Sequence, residues 1–382
     1  MSTATISRNW LAVVSVMMGI FSIVTTEILP IGLLTSIGAD FEISEGTAGL
    51  MMTMPGIVAA VAAPVVTVAT GRVDRRSMLC ALMLLLAAAD FLAAVAPSYW
   101  LMLVSRFLVG LVIGGFWSIG AGLAARLVRE ESVGRATSVI FSAVPLGSVL
   151  GVPAGTLVGQ LAGWRSAFVV MGLLTVGVFV ALIVWMPPLP TVQVTRLGVL
   201  RALLHRRNIR VGLVLTSLIV IAHFATYTYV TPFLREVTEA SPATITSFLL
   251  AYGIAGVVGN FLSGMGVSRK VFAASGGMIA LATSLLPCAG GGEVGAFALL
   301  VVWGLAYGAV PACSQTWFST AAPDAPEAAT VLFTSSFQAM LAVGALLGGV
   351  VVDAASTTTV MALGAATATL MVATLLAAGR RA

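Results

Sequence analysis

Long apolar runs broken by short polar interruptions set the pattern of this chain from its first residues to its last. A helix needs about 20 apolar residues to cross a hydrocarbon core of roughly 30 Å. The pattern predicts twelve such spans, near residues 10–34, 46–70, 77–96, 99–125, 135–160, 166–187, 209–234, 243–265, 271–290, 294–320, 328–352 and 357–379. The interruptions are short except for the stretch from Pro187 to Asn208. An all-α membrane protein follows, with its long break dividing the spans into two sets of six. The expected units are 1–188, a linker over 189–207, and 208–382.

Composition agrees and removes several function classes. Of 382 residues, 59% are hydrophobic and 9% charged, against about 25% charged in a soluble globular protein. No interruption is long enough for a soluble enzyme domain. The first apolar run is of full span length and lacks the short core and small-residue cleavage site of a removable leader. Cys80, Cys288 and Cys313 are scattered without metal-ligand spacing, which argues against a disulfide framework and against zinc. The lone lysine, Lys270, follows Val267-Ser268-Arg269 rather than a glycine-rich phosphate cradle, so no P-loop is present. Neither Gly-x-Ser-x-Gly nor His-Glu-x-x-His occurs. No cofactor and no catalytic residue is expected.

The net charge of +5 is informative through its placement. With the N-terminus inside, 16 of the 19 Lys and Arg fall in inside segments, Arg165 and Arg235 fall outside, and Arg106 lies within a span. The positive-inside rule therefore puts both termini in the cytoplasm, and the basic excess reads as topology rather than as a nucleic-acid surface. A faint repeat relates the two sets of six. Val73-Asp74-Arg75-Arg76 corresponds to Val267-Ser268-Arg269-Lys270, Gly147-x-x-x-Gly151 to Gly344-x-x-x-Gly348, and Gly110 to Gly308, at offsets of 194, 197 and 198 residues. Similar offsets point to duplication, although small-xxx-small patterns alone are common in membrane helices.

Polar groups inside the spans are few. Glu27 lies in the first, in Thr25-Thr26-Glu27-Ile28-Leu29-Pro30. An ionisable group at membrane depth costs roughly 2.5 to over 10 kcal/mol by contested estimates, and normally faces a cavity or a partner. Asp90 in span 3 and Arg106 in span 4 fall in the same half of neighbouring antiparallel helices. Either they form a structural ion pair, or Arg106 is shared between Asp90 and Glu27 so that protonation changes its partner. His223 lies one turn before Tyr227, on the same helix face, with Thr226 and Tyr229 nearby; it is either a packing residue or a group facing a polar substrate. Trp117, Ser118, Asn260, Gln315, Trp317 and Gln338 are each interhelical glue or cavity wall. With no acidic cage and no basic cluster, this set points to an uncharged, moderately polar substrate.

Several of these motifs resemble those of a known family. Thr26-Glu27-x-x-Pro30-x-Gly32-Leu33-Leu34, Arg106-x-x-x-Gly110 and Gly147-x-x-x-Gly151-Val152-Pro153-Ala154-Gly155 are similar to the signatures of spans 1, 4 and 5 in proton-coupled efflux transporters. The family is the major facilitator superfamily, in its drug:proton antiporter-1 group, and the nearest branch exports sugars and purine nucleosides. Trp164-Arg165 with Phe168, and His223-Phe224-x-x-Tyr227-Thr228-Tyr229-x-x-Pro232, extend the likeness. Val109 replaces the usual glutamine, and Asp74-Arg75-Arg76 resembles a shortened gating loop without its inner glycine.

The resemblance implies two six-helix bundles that rock about a midplane site, and export of a sugar, nucleoside or drug by proton antiport. The expected proton-coupling residues are Glu27, Asp90 and Arg106. The expected cavity residues are Thr26, Trp117, His223, Tyr227, Tyr229, Asn260, Gln315 and Gln338. Asp74, Arg75 and Arg76 are expected to gate the cytoplasmic side, and Gly147, Gly151, Pro153 and Gly155 to permit close packing or a kink. The expected setting is a bacterial plasma (inner) membrane, with a monomer, a small-molecule substrate, protons and lipid as partners. Proton-driven uptake or uniport on the same fold is the first alternative; a membrane enzyme or a non-transporting sensor is less favoured.

Overall fold

The computed structural model describes residues 3–70, 73–120, 123–190, 197–263 and 268–379, and every regular element among them is helical. The membrane-spanning helices are α1 (Thr3–Asp40), α2 (Leu50–Ala69), α3 (Arg75–Ala94), α4 (Tyr99–Gly120), α5 (Val152–Ala162) and α6 (Trp164–Trp185). They continue as α7 (Arg207–Tyr227), α8 (Pro242–Ser263), α9 (Ser268–Ala289), α10 (Glu293–Gly308), α11 (Pro326–Ala354) and α12 (Thr357–Gly379). Among the described residues, eleven helices are long and apolar enough to cross a membrane.

The fifth span departs from the continuous run expected over 135–160. It folds as Val133–Phe141, Ala143–Leu146, a π-turn over Gly147–Gly151, and then α5. Glycine and proline explain the interruption, because glycine weakens helix propagation and Pro153 supplies no amide donor. Span 7 also breaks, at Thr228–Tyr229, and restarts as Val230–Glu236. Span 10 breaks at Ala309 and restarts as Val310–Ala321, with Pro311 in its first turn, where a missing N–H costs nothing.

Two groups of six helices result. In the first, α2 packs on α4 and α3 on α6; in the second, α8 packs on α10, α9 on α12, and α7 on both α11 and α12. The groups meet along two seams, α2 against α11 and the π-turn with α5 against α8. Inside the first group, Gly147, Gly151, Gly155 and Gly159 form a row at four-residue spacing that receives Val24, Thr25, Leu29 and Leu33 of α1. A Cβ on Gly151 would meet the Thr25 side chain at 2.7 Å, so only glycine lets α1 lie this close.

The chain runs back and forth between two faces: a near end, on the side of residues 3 and 379, and a far end, with the breaks in spans 5, 7 and 10 lying between them. Contacts between the groups seal the far end. Ser44 Oγ donates to Asp353 Oδ2 (2.6 Å), and the Gly46 amide to Asp353 Oδ1 (2.9 Å). Gln160 Nε2 donates to the Pro242 carbonyl (2.8 Å) and Thr246 Oγ1 (2.9 Å), and Thr231 Oγ1 to the Ile31 carbonyl (3.0 Å). At the near end a bidentate pair joins Arg206 to Asp324 at 2.6 Å. Hydrogen bonding from Arg206 holds the Asp324 carboxyl down, to about 2.

The glycine row generates the first prediction. Gly151→Leu is expected to lower stability by about 1–3 kcal/mol or more, the usual range for overpacking. Gly177→Leu, where an added Cβ meets nothing within 4 Å, is expected to be neutral. Thermal unfolding in detergent compares the two; equal melting temperatures would remove the steric account.

Candidate functional site

Between the groups lies a cavity of about 420 Å³. Its floor is set by the far-end seal, and its lining reaches Trp117, Asn260 and Thr330 toward the near ends of α4, α8 and α11. Of the residues expected at a cavity wall, Trp117, His223, Tyr227, Asn260, Gln315 and Gln338 line it, together with Glu27. Tyr252, Tyr307, Phe333 and Phe337 line it as well and were not anticipated. Tyr252 and Tyr307 carried one faint signal, a mid-span hydroxyl that must find a place; Phe333 and Phe337 carried none.

Two expected cavity residues lie elsewhere. Tyr229 is fully buried near the far end, where its hydroxyl donates to the Ala345 carbonyl (2.8 Å) and its ring fills the space left by Gly49 and Gly349. Tyr229 follows Tyr227 by two residues and His223 by six, spacings that fall on other helix faces, and the helix breaks beside it at Thr228–Tyr229. Thr26 is also fully buried, facing α3 and α4 instead of the cavity. Successive helical residues point about 100° apart, so Thr26 turns away as its neighbour Glu27 turns in.

Glu27 is 6% exposed and accepts a hydrogen bond from Gln338 Nε2 (3.0 Å). This bond crosses from α1 in the first group to α11 in the second. Gln338 Oε1 is buried with no hydrogen-bond partner, so the amide has unused acceptor capacity beside the carboxyl.

The Asp90–Arg106 relation differs from both expectations. Among the described residues the ion pairs within 4.0 Å are Arg165–Asp40 and Arg206–Asp324, so Arg106 pairs directly with neither Asp90 nor Glu27. Thr26 stands between them instead. Its hydroxyl donates to Asp90 Oδ2 (3.2 Å), while its carbonyl accepts from Arg106 Nη1 (2.8 Å). That carbonyl is available for a definite reason: its helical partner four residues on is Pro30, which has no N–H. Arg106 thus takes the acceptor that the proline leaves over, and its guanidinium also lies 5.2 Å from the Phe168 ring centroid.

Around His223 the aromatic residues converge. Tyr307 is stacked on it with centroids 3.3 Å apart, and Tyr227 at 5.0 Å. Tyr227 in turn stacks on Tyr252 at 4.5 Å. Trp303 meets His223, Tyr227 and Tyr252 edge-on, and its indole Nε1 donates to His223 Nδ1 (3.2 Å).

The expected gating residues lie at the near end within the first group. Asp74 caps α3 through the Ser77 amide (3.1 Å) and accepts from the Leu189 amide (2.7 Å). Arg76 donates to the Ile183 carbonyl (2.6 Å), and Arg75 Nη1 to the Thr70 carbonyl (3.4 Å). In this conformation Asp74 and Arg76 brace α3 against the end of α6. No three His, Cys, Asp or Glu among the described residues cluster as a metal site would need.

Comparison with known proteins places this geometry in context. Residues 10–340 match the model of the Major Facilitator Superfamily. The purine ribonucleoside efflux pump NepI of Shigella sonnei is 32% identical over 90% of this chain and 88% of its own. The transcription regulatory protein OpdE of Pseudomonas aeruginosa is 31% identical over 91% and 88%. Among solved structures, a bacterial homolog to the human lysosomal transporter Spinster, inward-facing and occupied, superposes with a TM-score of 0.76. It has 14% sequence identity and covers 100% of this chain and 98% of its own; that likeness is one of fold.

A double-mutant cycle tests the proline-freed carbonyl. Arg106→Leu and Pro30→Ala are expected to couple by about 0.5–3 kcal/mol, the range for residues sharing one network, because alanine in place of Pro30 restores a backbone donor to the Thr26 carbonyl. Unfolding in detergent measures the cycle, and strictly additive effects would contradict the account.

Proposed function

We propose that this chain, which belongs to the Major Facilitator Superfamily and is a multi-pass membrane transporter, exports a small uncharged solute of the purine-ribonucleoside type in exchange for protons. One observation carries the reading. The carboxyl of Glu27 sits in the cavity wall, hydrogen-bonded to Gln338 of the opposite group. Relatives named as purine ribonucleoside efflux pumps support the substrate class. The aromatic stack supports it on physical grounds, since flat rings favour offset stacking and edge contacts.

The coupling follows from hydrogen-bond chemistry. Ionised Glu27 only accepts, which suits the Gln338 amide N–H; protonated Glu27 is also a donor, which suits the unpartnered Gln338 Oε1. A change of protonation therefore changes the bond that joins the two groups across the cavity. Asp90 is the second proton-binding site in this scheme, tied to α1 through Thr26, and Arg106 supplies the compensating charge. The groups, residues 1–188 and 208–382 with the linker 189–207 between them, rock against each other. The near end is the cytoplasmic one in this reading, because it holds most of the basic residues. The conformation described is then closed outward, in a plasma membrane. Uptake or uniport on the same fold is the competing reading, and flux direction separates them.

Everted membrane vesicles carry the test. An inside-acid gradient of one pH unit is expected to accumulate a labelled purine ribonucleoside up to about tenfold at one-to-one exchange, one unit being worth 1.36 kcal/mol. Glu27→Gln is expected to abolish that accumulation while still allowing substrate-for-substrate exchange. Gradient-driven accumulation by the variant at the wild-type level would refute the role of Glu27, and gradient-independent flux in the wild type would favour uniport.

A further inference from the structure

His223 is the one histidine at membrane depth, and its environment determines what it does. An indole N–H donates and never accepts, so the bond from Trp303 Nε1 to His223 Nδ1 requires a lone pair on Nδ1. The proton of the neutral ring is therefore on Nε2. A doubly protonated ring would set N–H against N–H at 3.2 Å. Trp303 is itself fully buried and wedged edge-on against His223, Tyr227 and Tyr252, so it has no room to turn its donor away. The Nε2–H finds no acceptor among the described residues, and His223 lines the cavity.

We infer that His223 is a fixed hydrogen-bond donor to the transported solute, locked in its Nε2–H tautomer by Trp303, and that it does not carry the exchanged proton. The inference rests on the cavity being the transport site. The ligand chemistry it implies is a flat heteroaromatic ring with an unprotonated ring nitrogen, lying beside the Tyr227–Tyr252 stack with that nitrogen toward His223. Purine N3 and N7 have this character. Trp303 touches no solute and acts as a positioning residue, through the imidazole alone. The titratable groups that face the same space are Glu27 from α1, Tyr227 from α7, Tyr252 from α8 and Tyr307 from α10. Of these, the carboxyl is left to change protonation during exchange.

Two measurements test the two parts. The chain has two histidines, so 15N-histidine NMR of the full chain in detergent, assigned with a His205→Gln variant, reads each ring separately. His223 is expected to hold an unprotonated Nδ1 and a protonated Nε2 from about pH 5 to 8, the range in which an unperturbed imidazole changes charge. Trp303→Phe is expected to release His223 into a tautomer mixture or into titration. A wild-type His223 that protonates in this range, or carries its proton on Nδ1, overturns the lock. For the contact, adenosine is compared with 3-deazaadenosine and 7-deazaadenosine in competition for exchange. One analogue is expected to bind roughly tenfold more weakly, as for a lost buried hydrogen bond of about 1.4 kcal/mol, and His223→Phe to remove the difference. Equal binding of all three by the wild type overturns the contact. Failure of every purine nucleoside to compete overturns the substrate reading and the ligand class together, and the NMR result still decides the lock.

Discussion

A charge at membrane depth must be met by hydrogen-bonding partners or given up, and the arrangement of this protein follows from how α1 meets that demand. Glu27, Asp90 and Arg106 are all buried, yet no two of them are joined by an ion pair or a hydrogen bond. Neutral groups stand between them: the Gln338 amide on Glu27, the Thr26 hydroxyl on Asp90, and the Thr26 carbonyl on Arg106. A direct buried ion pair would be expensive to break and would hold both partners in one state. Neutral intermediaries leave each carboxyl able to take or lose a proton without stranding a charged partner. Pro30 is part of this design, because it frees the carbonyl that Arg106 occupies.

Two adjacent residues of α1 thus serve opposite sides. Thr26 binds the interior of the first group, and Glu27 reaches through the cavity wall to the second. The glycine row on the π-turn and α5 lets α1 sit deep enough in its own group for both contacts to form. Tyr229, with Gly49 and Gly349, and the Asp353 contacts seal the far end, so the cavity and its carboxyl are presented toward the near end. In the proposed exchange, solute and proton meet in this one space.

Much of this was legible in the sequence. Apolar run length marked the spans, and the scarcity of polar residues inside them picked out Glu27, Asp90, Arg106, His223 and Gln338. What a linear pattern could not supply was phase. Thr26 and Glu27 are neighbours on different faces, and a pattern does not say which face meets the cavity. Tyr229 stands six residues after His223 and two after Tyr227, spacings that fall on other helix faces, so closeness in sequence did not place it with them. Asp90 and Arg106 are complementary charges on neighbouring helices, but Thr26 from a third helix comes between them, and pairwise reasoning misses a third party. The Pro30–Thr26 relation was readable in principle, since a proline always leaves the carbonyl four residues earlier without its helical donor. Tyr252, Tyr307 and Trp303 escaped notice because an aromatic residue in an apolar span resembles ordinary core until its neighbours are known.

The central claim is that solute and proton compete through Glu27. Linkage then requires that solute binding expel a proton and, reciprocally, that solute bind more tightly as the pH rises. The most direct measurement is proton release on adding a purine ribonucleoside to purified protein in weakly buffered detergent solution, followed with a pH indicator. The account predicts release from the wild type and none from Glu27→Gln that still binds the solute. Equal release from both, or solute binding to the wild type with no release across the titration range, would contradict it.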